Sequence, residues 1–424
     1  MNPNATPEYY GYKIGENIVP YINKSIAEFG ECYIGEGTHI VGRSDSNWNR
    51  GNPYSDNCIC WGWARKHDVV LKGAGKDKTI LRFADNVQSR YLMGNEAPYV
   101  LMLQTNYNES CNNTVISDIT WDGNYENNST TSTIDGIRIR GENTTIKDCK
   151  FINFGVGEKL HAETFQIFAT TIDKSGKGPN IINNLFGLPG RKSNTKSGFV
   201  CENTFIGVGG KNTLVKNNIF NNCLFDSKTQ QSPLHAITLM DCSESEVSNN
   251  LFDTFQGCCI YMDSWTNDGV EIKNNIANNV WIFFSLTCQS WPNDNQISFN
   301  KNFKVHSNNV ILANGPTQYQ HDVSPGPSHF CGYVYAPEID KIKHPGFENV
   351  IIENNNVTLG CYDNNGFISE SGKLICFYGS PVGPEKIKLG ENNFTSSKKT
   401  TIKSAEPKKK KNIFQIILSL FFKK

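Results

Sequence analysis

Net charge is the first thing the sequence lacks. Across 424 residues, 41 basic side chains balance 41 acidic ones. That leaves no electrostatic case for a nucleic-acid partner, which needs clustered Lys and Arg. No apolar run reaches the roughly 18 to 20 residues that span a bilayer. Met1 to Tyr12 lack the basic-then-apolar pattern of a secretory signal. Extracellular, virion and cytoplasmic locations all stay open. The 14 cysteines lack metal-ligand spacing: Cys58 and Cys60 form only C-x-C, and Cys258 and Cys259 are adjacent. They read as reduced thiols buried as small hydrophobes, since disulfides would need an export route.

What is abundant is asparagine, about fifty residues or near one in eight, beside 25 Phe, 16 Tyr and 7 Trp. Asn disfavours helix interiors and favours turns and left-handed backbone. The aromatics supply a core and exclude a disordered Asn-rich tract. A short phrase recurs: apolar, any residue, Asn, Asn, apolar, often Phe. It reads V-K-N-N-I-F over 215–220, V-S-N-N-L-F over 247–252, I-K-N-N-I over 272–276 and I-I-N-N-L-F over 181–186. Looser copies stand at 299–303 and 352–357, and I-K-D-C-K-F at 146–151 is a copy without the Asn pair. Copies recur about every 25 to 36 residues, with one gap near 53 that predicts a skipped turn. A fixed phrase at variable spacing suits a coil whose strands stack while its loops differ in length. Each copy predicts a strand, a bend at the Asn pair and another strand. The amides then bond along the stack as an asparagine ladder.

A second strand family precedes the phrase, at 136–140, 164–168, 236–240 and 259–263, alternating apolar and outward residues. The pattern predicts an all-β chain, a right-handed parallel β-helix. Ile18, Ile22, Ile26 and Phe29 keep helical spacing and stop at Gly30, which predicts an N-terminal capping helix. G-A-G-K at 73–76 lacks full phosphate-loop spacing and reads as a turn between rungs. The segments G-E-C-Y-I-G-E-G-T-H-I-V (30–41) and H-D-V-V-L-K-G-A-G-K-D-K-T-I-L (67–81) resemble the opening of the pectate-lyase-like β-helix superfamily. The resemblance extends over roughly 18–394 and is specific for fold. That superfamily includes lyases, hydrolases and phage tailspikes, so the resemblance implies a surface groove that grips an extended polysaccharide. Polygalacturonase-type motifs are absent as a set. Calcium follows from family analogy alone, since no Asp cluster supports it.

Candidate chemistry falls between 233 and 294. Asp241 and Asp263 end strands one rung apart and are candidates for an acid/base or acid/nucleophile pair; the structural alternative makes both turn carboxylates that cap backbone N–H groups. S-W-T-N-D at 264–268 recurs as S-W-P-N-D at 290–294, 26 residues on. Read as one rung, this stacks Trp265 and Trp291 at a corner, as a platform for sugar faces or as packing beneath a loop. Glu163 and His235 are candidates at the groove edge. Arg138 and Arg140 are candidates to hold a uronate carboxylate or, more plainly, to face solvent. The Pro-rich stretch 304–348 carries four scattered His and reads as a lid or an insertion rather than a metal site.

The expected organisation is a cap and first strands over 1–66, a coil over 67–395, and a basic linker with a short apolar tail over 396–424. The tail run I-F-Q-I-I-L-S-L-F-F (413–422) would measure about 15 Å as a helix, half a bilayer. It suits a membrane interface, the open end of the coil or another protein. Two functions follow: a carbohydrate-active protein that binds or cleaves a polysaccharide by hydrolysis or β-elimination, or a non-catalytic glycan-binding or structural β-helix, virion-associated or not. Homo-oligomers are compatible with either.

Overall fold

A computed structural model describes residues 2–43, 47–48, 58–61, 67–89, 99–105, 110–128, 133–154, 163–187, 202–223, 234–255, 257–262, 266–288, 300–313, 329–335, 347–359, 375–378, 387–396 and 401–402. The chain is a right-handed parallel β-helix. Three long sheets run along it, of 11, 12 and 12 strands, and each rung contributes in turn to the first, second and third sheet. The first sheet begins with Glu31–Ile34 against Val70–Gly73, the second with Gly37–Val41 against Thr79–Phe83. The third contains Thr133–Arg140, Glu163–Thr170, Glu202–Lys211, Leu234–Ser243, Cys258–Met262 and Ile282–Cys288 in successive register. Pairing is parallel in these sheets except at the end, where Thr401–Ile402 runs antiparallel to Asn393–Ser396. Parallel crossovers wind right-handed because twisted strands return to their sheet only that way.

The asparagine ladder stands at the corner between the first and second sheets. Each turn there places a residue in left-handed backbone: Asn183, Asn217, Asn249, Asn274, Ser307 and Asn354 all lie near φ 54–59°. The next residue points inward, giving a buried column of Asn184, Asn218, Asn250, Asn275, Asn308 and Asn355 that ends at the half-buried Asn392. Within the column, each backbone N–H and each Nδ2 donate to the Oδ1 of the Asn one rung on, at 2.9–3.1 Å. Nδ2 also donates backward to a carbonyl, such as that of Ile181 or Val215. Asn alone combines an αL-tolerant neighbour type with an amide that donates and accepts at this reach. The degenerate copy at 146–151 starts the column: Cys149 lacks an amide, but its N–H donates to Asn184 Oδ1.

Two expectations about the repeat are corrected. The loose copy at 299–303 is no rung of this ladder, because Asn267 Nδ2 donates to Asn300 at a different corner. The true rung is Ser307–Asn308. The long gap hides no skipped turn either. Lys304–His306 pairs directly with Val350–Glu353, and the ladder residues Asn308 and Asn355 are simply 47 residues apart. The extra chain lies in the rung's other connections.

Inside, the Phe of the phrase forms its own column. Trp121, Phe151, Phe186, Phe220 and Phe252 stack nearly parallel, with centroids 6.4, 5.2, 4.8 and 5.0 Å apart in order. Ile116, Ile146, Ile181, Val215, Val247 and Ile272 line the first sheet's inner face in register. At the N-terminal end, α1 (Val19–Phe29) buries Val19, Ile22 and Ile26 and stops at Gly30, whose φ of 74° closes the helix. G-A-G-K is a turn between Val70–Gly73 and Thr79–Phe83, as expected.

Candidate functional site

Chain length marks one face. From 118–119 to 354–355 the first-to-second-sheet corner is a two-residue turn on rung after rung; it is five residues at 74–78, before the ladder begins, and three at 390–392, where the ladder ends. Long connections instead flank the third sheet. Segments 187–201, 224–233, 313–328 and 360–374 lead into it, and 289–299, 336–346 and 379–386 lead out. Loops carry function where a rigid scaffold positions them, so the third sheet's outer face is the candidate site.

On that face, Ile237 and Leu239 point into the core while Thr238 points out. The outward side chains are nonetheless sheltered from solvent: Thr204, His235, Thr238 and Ser285 are all buried. The hydroxyls of Thr204 and Thr238 have no hydrogen-bond partner among the described residues. His235 stacks flat on Tyr261, ring centroids 4.0 Å apart. Cys258, Tyr261 and Ile282 form a small apolar cluster with Trp281 beside them. Gly207 keeps the floor low: a Cβ there would stand 2.7 Å from the Phe165 ring.

Toward the N-terminal end, Arg138 lies over Phe165 and Phe168, 5.5 and 5.4 Å from their centroids. Its Nη2 and Nε donate to Asp135 Oδ2 at 2.7 and 2.9 Å, and Phe165 N–H donates to Oδ1. Asp135 is fully buried, and burial raises its pKa against the opposing pull of the Arg138 charge. Two faces of the Arg138 fork are therefore already matched by an internal carboxylate. Arg140 is half-buried two residues further along the strand, in register with Thr170.

Asp241 occupies a bulge. The register of Leu234–Ser243 on Glu202–Lys211 shifts between Val208 and Gly210, and Asp241 takes φ 54°. Its Oδ2 meets Lys174 Nζ at 2.8 Å, and its Oδ1 accepts the Thr266 N–H at 3.2 Å. Asp263, Trp265 and Trp291 lie outside the described residues, so their relation to Asp241 does too. The register at this corner pairs Asn267 with Asn300, 33 residues apart. The strand just before Trp265 steps 24 residues to the next rung, from Met262 to Leu286, so the step differs on the two sides of the tryptophan phrase. Glu163 opens Glu163–Thr170 with its backbone in register with Glu202; its side chain is outside the described set. His235 sits on the floor rather than on the rim.

Sequence reading missed Asp135, Thr204, Thr238 and Ser285. Strand alternation signals that Thr238 points outward, but nothing in the sequence signals that it is sheltered. Among the described residues no group of three or more His, Cys, Asp or Glu side chains converges on a metal position. Of the eight cysteines whose side chains are described, seven are buried. No helix among the described residues is long and apolar enough to cross a membrane.

A scan of family models and a search of curated proteins give no match. Among solved structures, the chain is similar to the mannuronan C-5 epimerase AlgE4 A-module of Azotobacter vinelandii, at 14% identity and TM-score 0.48 over 92% of this chain and 95% of that one. It is also similar to PfbA, a surface adhesin of Streptococcus pneumoniae, at 13% identity and TM-score 0.47 over 95% and 96%. A third similarity is to the Dettilon tailspike protein, at 11% identity and TM-score 0.47 over 91% and 68%.

Proposed function

We propose that this protein binds an extended polysaccharide along the outer face of the third sheet. One observation carries the reading: the long connections named above flank that sheet, while the ladder corner holds two residues on every rung from 148–149 to 354–355 and three at 390–392. A straight stack of strands at about 4.8 Å spacing suits a linear, repeating ligand better than a compact one. Thr204 and Thr238 lie on that face with hydroxyls that are buried and without a partner among the described residues. Trp265 and Trp291 are the proposed stacking platforms, and Arg138, Arg140, Glu163 and His235 the proposed polar neighbours. Asp241, held by Lys174 and the Thr266 N–H, supports a binding role over a catalytic one. A carboxylate so engaged must break an ion pair before it moves a proton.

The test is retention of the protein on immobilised neutral and acidic polysaccharides, with Trp265→Ala and Trp291→Ala variants. Loss of a stacking ring should weaken retention roughly tenfold, about 1.4 kcal/mol, with an unchanged melting temperature. If the wild-type protein is retained by no glycan in the panel, the reading fails. Release of reducing ends or unsaturated products, abolished in Asp241→Asn and Asp263→Asn, would replace binding with cleavage.

A further inference from the structure

The second sheet carries a feature that a polysaccharide site on the third sheet leaves unused. Leu185, Ile219, Leu251 and Ile276 are register partners on four successive rungs of its outer face. Ile219 is 40% and Ile276 46% exposed. The register column itself runs on to Asn309, and Ile311, 43% exposed, stands two residues along that strand, in register with Asn278. Isolated exposed Ile residues need no explanation, but Leu and Ile side chains aligned on consecutive rungs form one continuous apolar strip. At about 4.8 Å per strand the four aligned residues cover about 14 Å. Asn221, Asp253 and Asn278 border the strip with polar groups.

We propose that segment 413–422 of this same chain, I-F-Q-I-I-L-S-L-F-F, docks on this strip. The segment lies outside the described residues. The end of the described chain points to it: Thr401–Ile402 pairs with Asn393–Ser396 and is the last strand of this same sheet. From there to the strand of Ile276 is four strand spacings, about 19 Å. Residues 403–412 reach about 33 Å when extended, which is enough. Ten residues measure about 15 Å as a helix, a match to the strip. A second copy of the chain fits poorly, because a stable dimer needs about 800 Å² per partner and a strip one side chain wide falls well short. Tethering by ten residues gives the segment an effective concentration of order millimolar, which makes a small apolar contact sufficient.

Hydrogen exchange on the full chain tests this. The expected result is about tenfold slower exchange of amides 413–422 than in the free peptide, independent of protein concentration. The Ile219→Lys/Ile276→Lys double variant should abolish that protection. Both side chains are exposed, so its melting temperature should match the wild type, and Ile14→Lys, at another exposed site, should leave the protection intact. Four outcomes would each overturn the proposal: no protection in the wild-type chain, protection that survives the double variant, protection that grows with protein concentration, or protection that needs anionic vesicles. The third would indicate a second copy and the fourth a membrane surface.

Discussion

Replacing Asn250 with Ala isolates what the ladder contributes. In the wild-type chain, Asn250 Oδ1 accepts from the Asn218 N–H and from Asn218 Nδ2, both at 3.0 Å. Its Nδ2 donates to Val215 O and to Asn275 Oδ1, also at 3.0 Å. Alanine removes all four. Asn275 Oδ1 keeps the backbone N–H of residue 250 as a donor, and Asn218 Nδ2 keeps Ile181 O. Stranded in a dry interior are the Asn218 N–H and one Asn218 amide hydrogen, while Val215 stays paired with the Glu246–Ser248 strand. Each buried orphan costs about 1 to 3 kcal/mol, and the effects overlap, so the expected loss is about 4 kcal/mol. Asn392→Ala at the end of the column is the matched control. Asn392 accepts the Asn355 N–H and Nδ2 as Asn250 accepts those of Asn218, but it is half-buried, so water replaces much of what is lost and the cost is about 1 kcal/mol. Because stacked rungs open nearly independently, the readout is residue-resolved native-state hydrogen exchange together with the urea midpoint. Equal losses at Asn250 and Asn392, or a loss below about 1 kcal/mol at Asn250, would refute the ladder as a main source of stability.

Phe220→Ala should cost about 3 to 5 kcal/mol, because the ring is stacked against Phe186 and Phe252 on both faces, while Phe220→Leu should cost markedly less; urea denaturation checks the order. Burial pushes the Cys32, Cys149 and Cys242 thiols up to about 12. Their folded pKa lies above the unfolded value, so unfolded chains release these protons first. Stability from these groups is therefore complete below about pH 9 and is lost as pH rises toward about 12. The urea midpoint under reducing conditions should fall between about pH 8 and about pH 10, and a Cys149→Ala/Cys242→Ala variant should flatten that slope; an unchanged slope would remove the thiols as its cause.

The fold was legible because its cause is local and repeated. Asn in αL backbone followed by Asn with an inward amide is a two-residue requirement, so V-K-N-N-I-F and its copies announce both the corner and the column it builds. The Phe two residues beyond the pair announces the stack in the same way. Register across longer connections was not legible. Nothing local sets Asn267 opposite Asn300, and the step between rungs changes from 24 residues at Met262 to 33 at Asn267 within one turn. The copy at 299–303 misled for the same reason, its Asn serving a different corner.

The sequence by itself therefore determined the coil, its asparagine corner and its capping helix, because each depends on backbone preference and spacing within one turn. Only the tertiary structure decided how the coil is used. Arg138 over Phe165 and Phe168, the Lys174 partner of Asp241 and the exposed Leu–Ile strip each join residues from separate rungs. Contacts between rungs depend on which loop length follows which strand, a sum over the whole chain that no short phrase encodes.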